Sequence, residues 1–326
     1  MTQYFAFNGD ADGLCALQQL RLAQGSEGQL VTGVKRDIGL LRRVQAGPGD
    51  RVTVLDIAHE QNREDVARLL QAGATVRYFD HHFAGDLPSH PGLESYINTA
   101  ANVCTSSLVN DYLSGRHHRW AIVAAFGDGL AELGQALAEQ YGLLPKQIEQ
   151  LQQLGLYLNY NAYGERISDL HFDPAELAEA LQPFADPLDF IGSSETFATL
   201  QDGYLADMAR AASLTVWREV PGATLYRLPA APWARRVIGV LANQLLSQSP
   251  DHALALLSSN TAGGYTVSVR TPAHSPLAAD AFCRHFPSGG GRKRAAGINH
   301  LPASDLMSFA RAFERAYGWR ADTEFI

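Results

Sequence analysis

Cysteine is scarce in this chain: Cys15, Cys104 and Cys283 are the only three in 326 residues, odd in number, far apart and without a CxxC spacing. That usage argues against a cysteine zinc site and suits a reducing compartment, so the cytoplasm is the expected location. Long apolar runs are also missing. The most apolar stretch, Trp120 to Ala138, is broken by Asp128, Glu132 and glycines, short of the roughly 20 apolar residues that a membrane span needs. No basic segment with a following apolar core and cleavage pattern marks the N-terminus for export. No repeat or low-complexity tract is present, and a net charge of −8 disfavours an extended surface for long duplex nucleic acid. These absences predict a soluble globular protein with no membrane partner.

A chain of 326 residues with 46% hydrophobic residues is long enough for two cores. Its charge divides accordingly. Residues 1–221 hold 15 Lys+Arg against 28 Asp+Glu, whereas residues 222–326 hold 11 against 6. An acidic catalytic part followed by a basic, anion-holding part would have this distribution.

The first 100 residues alternate strand-like and helix-like segments: Tyr4–Asn8 then Leu14–Gln24, Gln29–Val34 then Ile38–Gln45, Val52–Ile57 then Asn62–Gln71, and finally Thr75–Asp80. The alternation predicts an α/β fold with a parallel sheet and crossover helices, whose ligands gather at the carboxyl ends of the strands. Helical periodicity follows from Thr105 to about Phe184. Glu195–Arg218 reads as one connecting helix, punctuated by Pro221-Gly222, so the expected division is 1–194, a linker over 195–221, and a smaller α/β domain over 222–326. Strands in that smaller domain are expected at Thr224–Leu228, Ala253–Ser258 and Tyr265–Arg270.

Three predicted strand ends carry acids or imidazoles: FNGDADGL (7–14), VLDIAHE (54–60) and YFDHHFA (78–84). A fourth segment, AAFGDGL (124–130), adds Asp128. Each alone has a plain explanation: a helix cap for DADG, a strand-end cap for Asp56, a turn for GDG. His59 reads as the first turn of a helix. Together, however, Asp10, Asp12, Asp56 and Asp128 would repel one another strongly unless a cation lay among them. Oxygen and imidazole donors without thiolate suit manganese, with magnesium or cobalt as alternatives, better than structural zinc.

The triplet Asp80-His81-His82, with the other three motifs in order around it, resembles the DHH phosphoesterase superfamily, which includes RecJ-type exonucleases, nano-RNases and cyclic-dinucleotide phosphodiesterases. The resemblance implies a parallel-sheet catalytic domain, a DHH-associated C-terminal domain, and an active site in the cleft between them. It implies two manganese ions: Asp12, Asp56, His81 and Asp128 would hold one, while Asp10 and the bridging Asp56 would hold the other. A water between the ions would attack phosphorus, with His82 near the phosphate or the leaving oxygen. Relatives usually place a His or Asp two to four residues before Asp10. This chain has Asn8 and Ala6 there, so Asn8 would offer at most a neutral carbonyl to that ion.

SGGGRKRAAGI (288–298) resembles the GGGHxxAAG signature of the C-terminal domain. Gly289, Gly290 and Gly291 would bring backbone N–H groups close to a phosphate, and Arg292, standing where the family has His, keeps an anion-binding donor without a titratable one. Arg270 resembles the strand-end arginine that relatives point towards substrate. The expected activity is manganese-dependent, exonuclease-like hydrolysis of a short single-stranded oligonucleotide or linear dinucleotide. Polyphosphate or another small phospho-metabolite, and non-catalytic nucleotide binding at a decayed metal site, are the alternatives. Many relatives dimerise, which makes a homodimer a further possibility.

Overall fold

The computed structural model describes residues 1–318. Its contacts divide the chain into two compact units, Met1–Gly203 and one beginning at Tyr204. The first is built on strands β1 (Gln3–Phe7), β2 (Gln29–Val31), β3 (Arg51–Leu55), β4 (Thr75–Asp80) and β5 (Leu93–Ile97), with all neighbours parallel in the order β2-β1-β3-β4-β5. The parallel sheet expected from the alternating pattern is therefore the one found. The strands are buried on both faces. Tyr4, Ala6, Val52, Val54, Val76 and Tyr78 pack on one side with Leu40, Val66 and Leu69, while Phe5, Phe7 and Phe79, at alternate positions, are buried on the other.

Helix α1 (Ala11–Gln24) follows β1 and is buried from Ala11 through Arg21. It is buried nearly all round because α3 (Thr105–Tyr112), α4 (His118–Gly127) and α6 (Pro145–Asn161) pack around it, and its buried Gln18, Gln19 and Arg21 donate to the Leu181, Ser106 and Ala178 carbonyls. The remaining helices of this unit are α2 (His59–Gln71), α5 (Ala131–Gln140), α7 (Pro174–Leu181) and α8 (Pro187–Ser193), and α9 (Glu195–Ala211) spans the division between the units. The connection from β1 leads to β2 on one side, and that from β3 leads to β4 on the other. The carboxyl ends of β1 and β3 thus flank the point where the strand order reverses, which is where an open parallel sheet leaves a crevice.

The second unit carries β6 (Val216–Val220), β7 (Ala223–Leu228), β8 (Ala253–Ser259), β9 (Gly264–Arg270), β10 (Gly289–Arg292) and β11 (Ala295–Pro302), in the order β10-β11-β9-β8-β7-β6. Only β7 and β8 run parallel, joined through α10 (Pro232–Gln248). Helices α11 (Ala279–Cys283) and α12 (Leu306–Tyr317) complete it, with Phe282 edge-on to Phe309, Phe313 and Tyr317 in the core. The expected connecting helix is shorter than its periodicity suggested. It stops at Ala211, and Val216–Val220 becomes a strand because β7 offers it an antiparallel partner.

One buried ion pair fixes α9 to α10. Asp207, with its side chain 1% exposed, accepts from Arg236 Nε at 2.8 Å and pairs with Nη2 at 2.7 Å. Asp207→Ala is expected to lower unfolding stability by about 3–5 kcal/mol in urea titrations, because it strips a carboxylate from a buried guanidinium. A loss under about 1 kcal/mol would show that the pair does not hold the two helices together.

Candidate metal centre

Asp10 is the N-cap of α1: its Oδ1 accepts from the N–H groups of Asp12 at 3.1 Å and Gly13 at 3.2 Å. The capping reading of DADG therefore holds at Asp10. Gly13 lies so close to β1 that a Cβ there would meet the Asn8 carbonyl oxygen at 2.1 Å, which is why the fourth letter of the motif is glycine. Asp12, in the first turn of α1, is held by a second helix. Its carboxylate accepts from the N–H groups of Thr105 at 2.8 Å and Ser106 at 2.7 Å, at the start of α3.

Asp56 follows β3 with φ at +59°, a left-handed conformation that costs a non-glycine residue roughly 1 kcal/mol or more. Its N–H donates to the Phe79 carbonyl at 3.1 Å and its Oδ1 accepts from Thr105 Oγ1 at 3.1 Å, so the strained residue is anchored at both ends. Asp128 caps the C-terminus of α4.

His81 Nδ1 lies 2.9 Å from the Val103 carbonyl, and since a carbonyl only accepts, Nδ1 carries the proton and donates it there. Nε2 is turned to the carboxylates: 3.4 Å from Asp56 Oδ1, 3.9 Å from Asp12 Oδ2 and 3.9 Å from Asp128 Oδ2. His82 Nδ1 donates to Asp80 Oδ1 at 2.8 Å, leaving its Nε2 on a side chain 44% exposed. Asp80 is fully buried, so the first acid of the triplet orients the third residue. His59 starts α2, buried with Nδ1 2.7 Å from the Ala84 carbonyl, in keeping with a first-turn role.

Burial pushes the Asp12 and Asp56 carboxyls above the usual range, and the neighbouring aspartates add to it. Burial alone would lower His81, but Asp56, Asp12 and Asp128 raise it to about 10. Asp10 differs. Burial would raise it too, yet the Lys35 ammonium, ion-paired to its Oδ2, holds it below the ordinary value.

These residues fit a divalent ion. Ligand atoms of Asp12, His81 and Asp128 lie within 4.8 Å of one another, as do those of Asp56, His81 and His82. Spacings of 3.4–3.9 Å around Nε2 are too long for good hydrogen bonds but match donors sharing a cation through bonds of about 2.0–2.2 Å. Asn8, buried at the end of β1, has an Oδ1 without a hydrogen-bond partner among the described residues. Asp10 belongs to neither cluster of potential ligands.

The expected anion-binding residues lie in the second unit. Gly289–Arg292 is an edge strand in a hairpin with β11 rather than a loop, and the Gly289 N–H is spent on the Phe286 carbonyl at 3.0 Å. Packing explains two of its glycines: a Cβ on Gly289 would meet the Cys283 carbonyl oxygen at 1.9 Å, and one on Gly291 would meet Ala296 Cα at 2.6 Å. Gly290 faces open space. Arg292 is exposed at the hairpin end. Arg270 ends β9 and donates to Asn243 Oδ1 at 2.7 Å and Ser268 Oγ at 3.0 Å.

Sequence reasoning missed Lys35, Thr105, Ser106 and the orienting role of Asp80. Thr105 and Ser106 could have been found as small hydroxyl residues opening a helix. Lys35 gave no sign beyond its place past the second strand.

The fold of the chain is similar to that of solved DHH-domain structures. The chain resembles a DHH domain described as a member of a family of ribosomal proteins, at 12% identity and TM-score 0.68 over 96% of this chain and 86% of that one. It also resembles the exonuclease RecJ bound to manganese, at 17% identity and TM-score 0.63 over 97% and 90%. A third likeness is to PggH, a pGpG-specific phosphodiesterase from Vibrio cholerae, at 14% identity and TM-score 0.53 over 96% and 97%. At these identities the likeness is one of fold. No protein-family model and no curated protein matches the chain.

Proposed function

We propose that the chain is a metal-dependent phosphoesterase of the DHH type that hydrolyses short oligonucleotides or linear dinucleotides. One observation carries the reading: His81 Nε2, its tautomer set by the Val103 carbonyl, stands 3.4–3.9 Å from three carboxylates whose burial calls for a cation. Asp12, Asp56, His81 and Asp128 would hold a manganese or similar ion, which supplies Lewis-acid polarisation and a water acidified towards neutral pH. A second ion of the family pattern would draw on Asp10, whose Oδ2 Lys35 already engages.

The remaining steps belong to the chain's own groups. The N–H groups of α3 favour the charged form of Asp12 and aim it, and Thr105 Oγ1 does the same for Asp56. Asp80 fixes the ring of His82 so that Nε2 could hydrogen-bond the phosphate or, when it too carries a proton, give that proton to the leaving oxygen. In the second unit, Arg292, Arg270 and the open face at Gly290 are the groups that would hold a second phosphate or the nucleotide. The neighbours' substrates favour this class: RecJ is described as an exonuclease and PggH as a pGpG-specific phosphodiesterase.

The test is a panel of pGpG, pApA, 5-mer RNA, cyclic di-AMP, pyrophosphate and polyphosphate with manganese. The expected result is cleavage of the linear dinucleotides or the oligonucleotide. His82→Ala should lower kcat on the preferred substrate by about 10²–10⁴-fold with manganese binding retained; undiminished turnover would remove His82 from the chemistry. The engagement of Asp10 by Lys35 favours a second reading, a nucleotide-binding protein without turnover, and measurable nucleotide binding with no cleavage of any substrate would establish it.

A further inference from the structure

Lys35 follows β2, the strand beside β1, and no motif of the site contains it. Three contacts bring its side chain to Asp10. Its Nζ pairs with Asp10 Oδ2 and donates to Asn159 Oδ1 at 3.0 Å near the end of α6, and it lies 5.5 Å from the centre of the Tyr163 ring. Its backbone N–H donates to the Ala162 carbonyl at 3.0 Å, which ties the segment to the same helix end. Both oxygens of Asp10 are thereby engaged: Oδ1 by the first turn of α1, Oδ2 by the ammonium. The side chain is 22% exposed, so the ammonium is a fixed part of the floor rather than a surface charge.

The two-ion arrangement implied by the family resemblance does not fit this geometry. An ion on the Asp10 side would have to displace an ammonium bonded to two side-chain oxygens, or sit against it as a like charge. The upstream residue is the neutral Asn8, with no imidazole or carboxylate to compensate. Asp10 is in contact with Asp56 but belongs to neither group of three ligand atoms, which are Asp12, His81 and Asp128 on one side and Asp56, His81 and His82 on the other.

We infer that Lys35 replaces one of the two cations: its ammonium neutralises the Asp10 side of the centre, which takes a single divalent ion on Asp12, Asp56, His81 and Asp128. The inference rests on the metal-site reading above. An ammonium can attract a phosphoryl oxygen but cannot acidify a water as a divalent ion does, so the lone ion would bear that task by itself.

The test is manganese stoichiometry by equilibrium dialysis together with electron paramagnetic resonance on the full-length protein. One ion per chain is expected at saturation, with a six-line spectrum free of exchange coupling. Removing the ammonium and restoring an imidazole, in a Lys35→Met/Asn8→His double variant, should raise the count to two and produce an exchange-coupled spectrum. Two coupled ions in the unaltered chain would overturn the inference while leaving the phosphoesterase reading intact. A double variant that still takes one ion would overturn it as well, since something other than Lys35 would then be excluding the second. No ion bound to the unaltered chain would overturn this inference and the phosphoesterase reading together.

Discussion

Asp56→Asn is expected to abolish manganese-dependent hydrolysis, by at least about 10³-fold in kcat, and at the same time to raise the melting temperature of the metal-free protein. The first effect follows from its position: Asp56 Oδ1 is the carboxylate oxygen nearest His81 Nε2, at 3.4 Å. Loss of a single preorganised electrostatic group typically costs about 10²–10³-fold, and here an ion would be loosened as well. The second effect has the opposite sign because the carboxylate is destabilised where it stands. Burial raises its pKa well above the ordinary value, with Asp10 and Asp12 adding to the shift, so the folded protein without metal is strained by the charge. Asparagine has nearly the same shape, can still accept from Thr105 Oγ1, and is among the residues that tolerate the left-handed φ of +59°. Each kcal/mol recovered should add on the order of 2–4 °C for a chain of this size. Thermal melts in chelator and in manganese test both halves: the gap between the two melts should close in the variant. If the metal-free variant melts below the unaltered protein, Asp56 is a structural residue held by Thr105 and His81, and the metal reading loses its centre.

Much of this site could be read from the sequence because it is encoded locally. The acids at 10, 12 and 56 and the triplet at 80–82 each follow an apolar strand, and in a parallel sheet every such end lies on one edge. What could not be read depends on tertiary pairing. A lysine past a strand end has an ordinary solvated reading, and only the adjacency of β2 to β1 carries Lys35 to Asp10. Gly289–Arg292 has the composition of a loop, since glycine is a poor strand former, but β11 supplies the partner that makes it β10. For the same reason, β5 and β6 carry no strand pattern of their own in the sequence. Their burial patterns are mixed and partly exposed, and they exist because β4 and β7 have edges to fill.

Manganese affinity is expected to tighten at least about 10-fold per pH unit between pH 6 and 8, a gain of at least about 100-fold in all, with at least one proton released per ion bound. The sign follows from His81. In the metal-free protein burial would lower its pKa, but the carboxylates of Asp56, Asp12 and Asp128 outweigh this and raise it to about 10. Nε2 is therefore protonated throughout that interval, and a metal must expel this proton before it can take the lone pair. The same groups make the stripped protein less stable as pH rises. A histidine raised from 6.5 to about 10 contributes stability that is complete below 6.5 and lost as pH rises through 10. Asp12 and Asp56, raised above 3.8, cost stability as pH rises beyond that value. Both trends run the same way, so the difference in melting temperature between loaded and stripped protein should widen from pH 6 to pH 8. Calorimetric titration in two buffers of different ionisation enthalpy counts the released protons directly. A pH-independent dissociation constant would mean that His81 Nε2 is not a ligand, and would return the imidazole to a plain ion pair with Asp56.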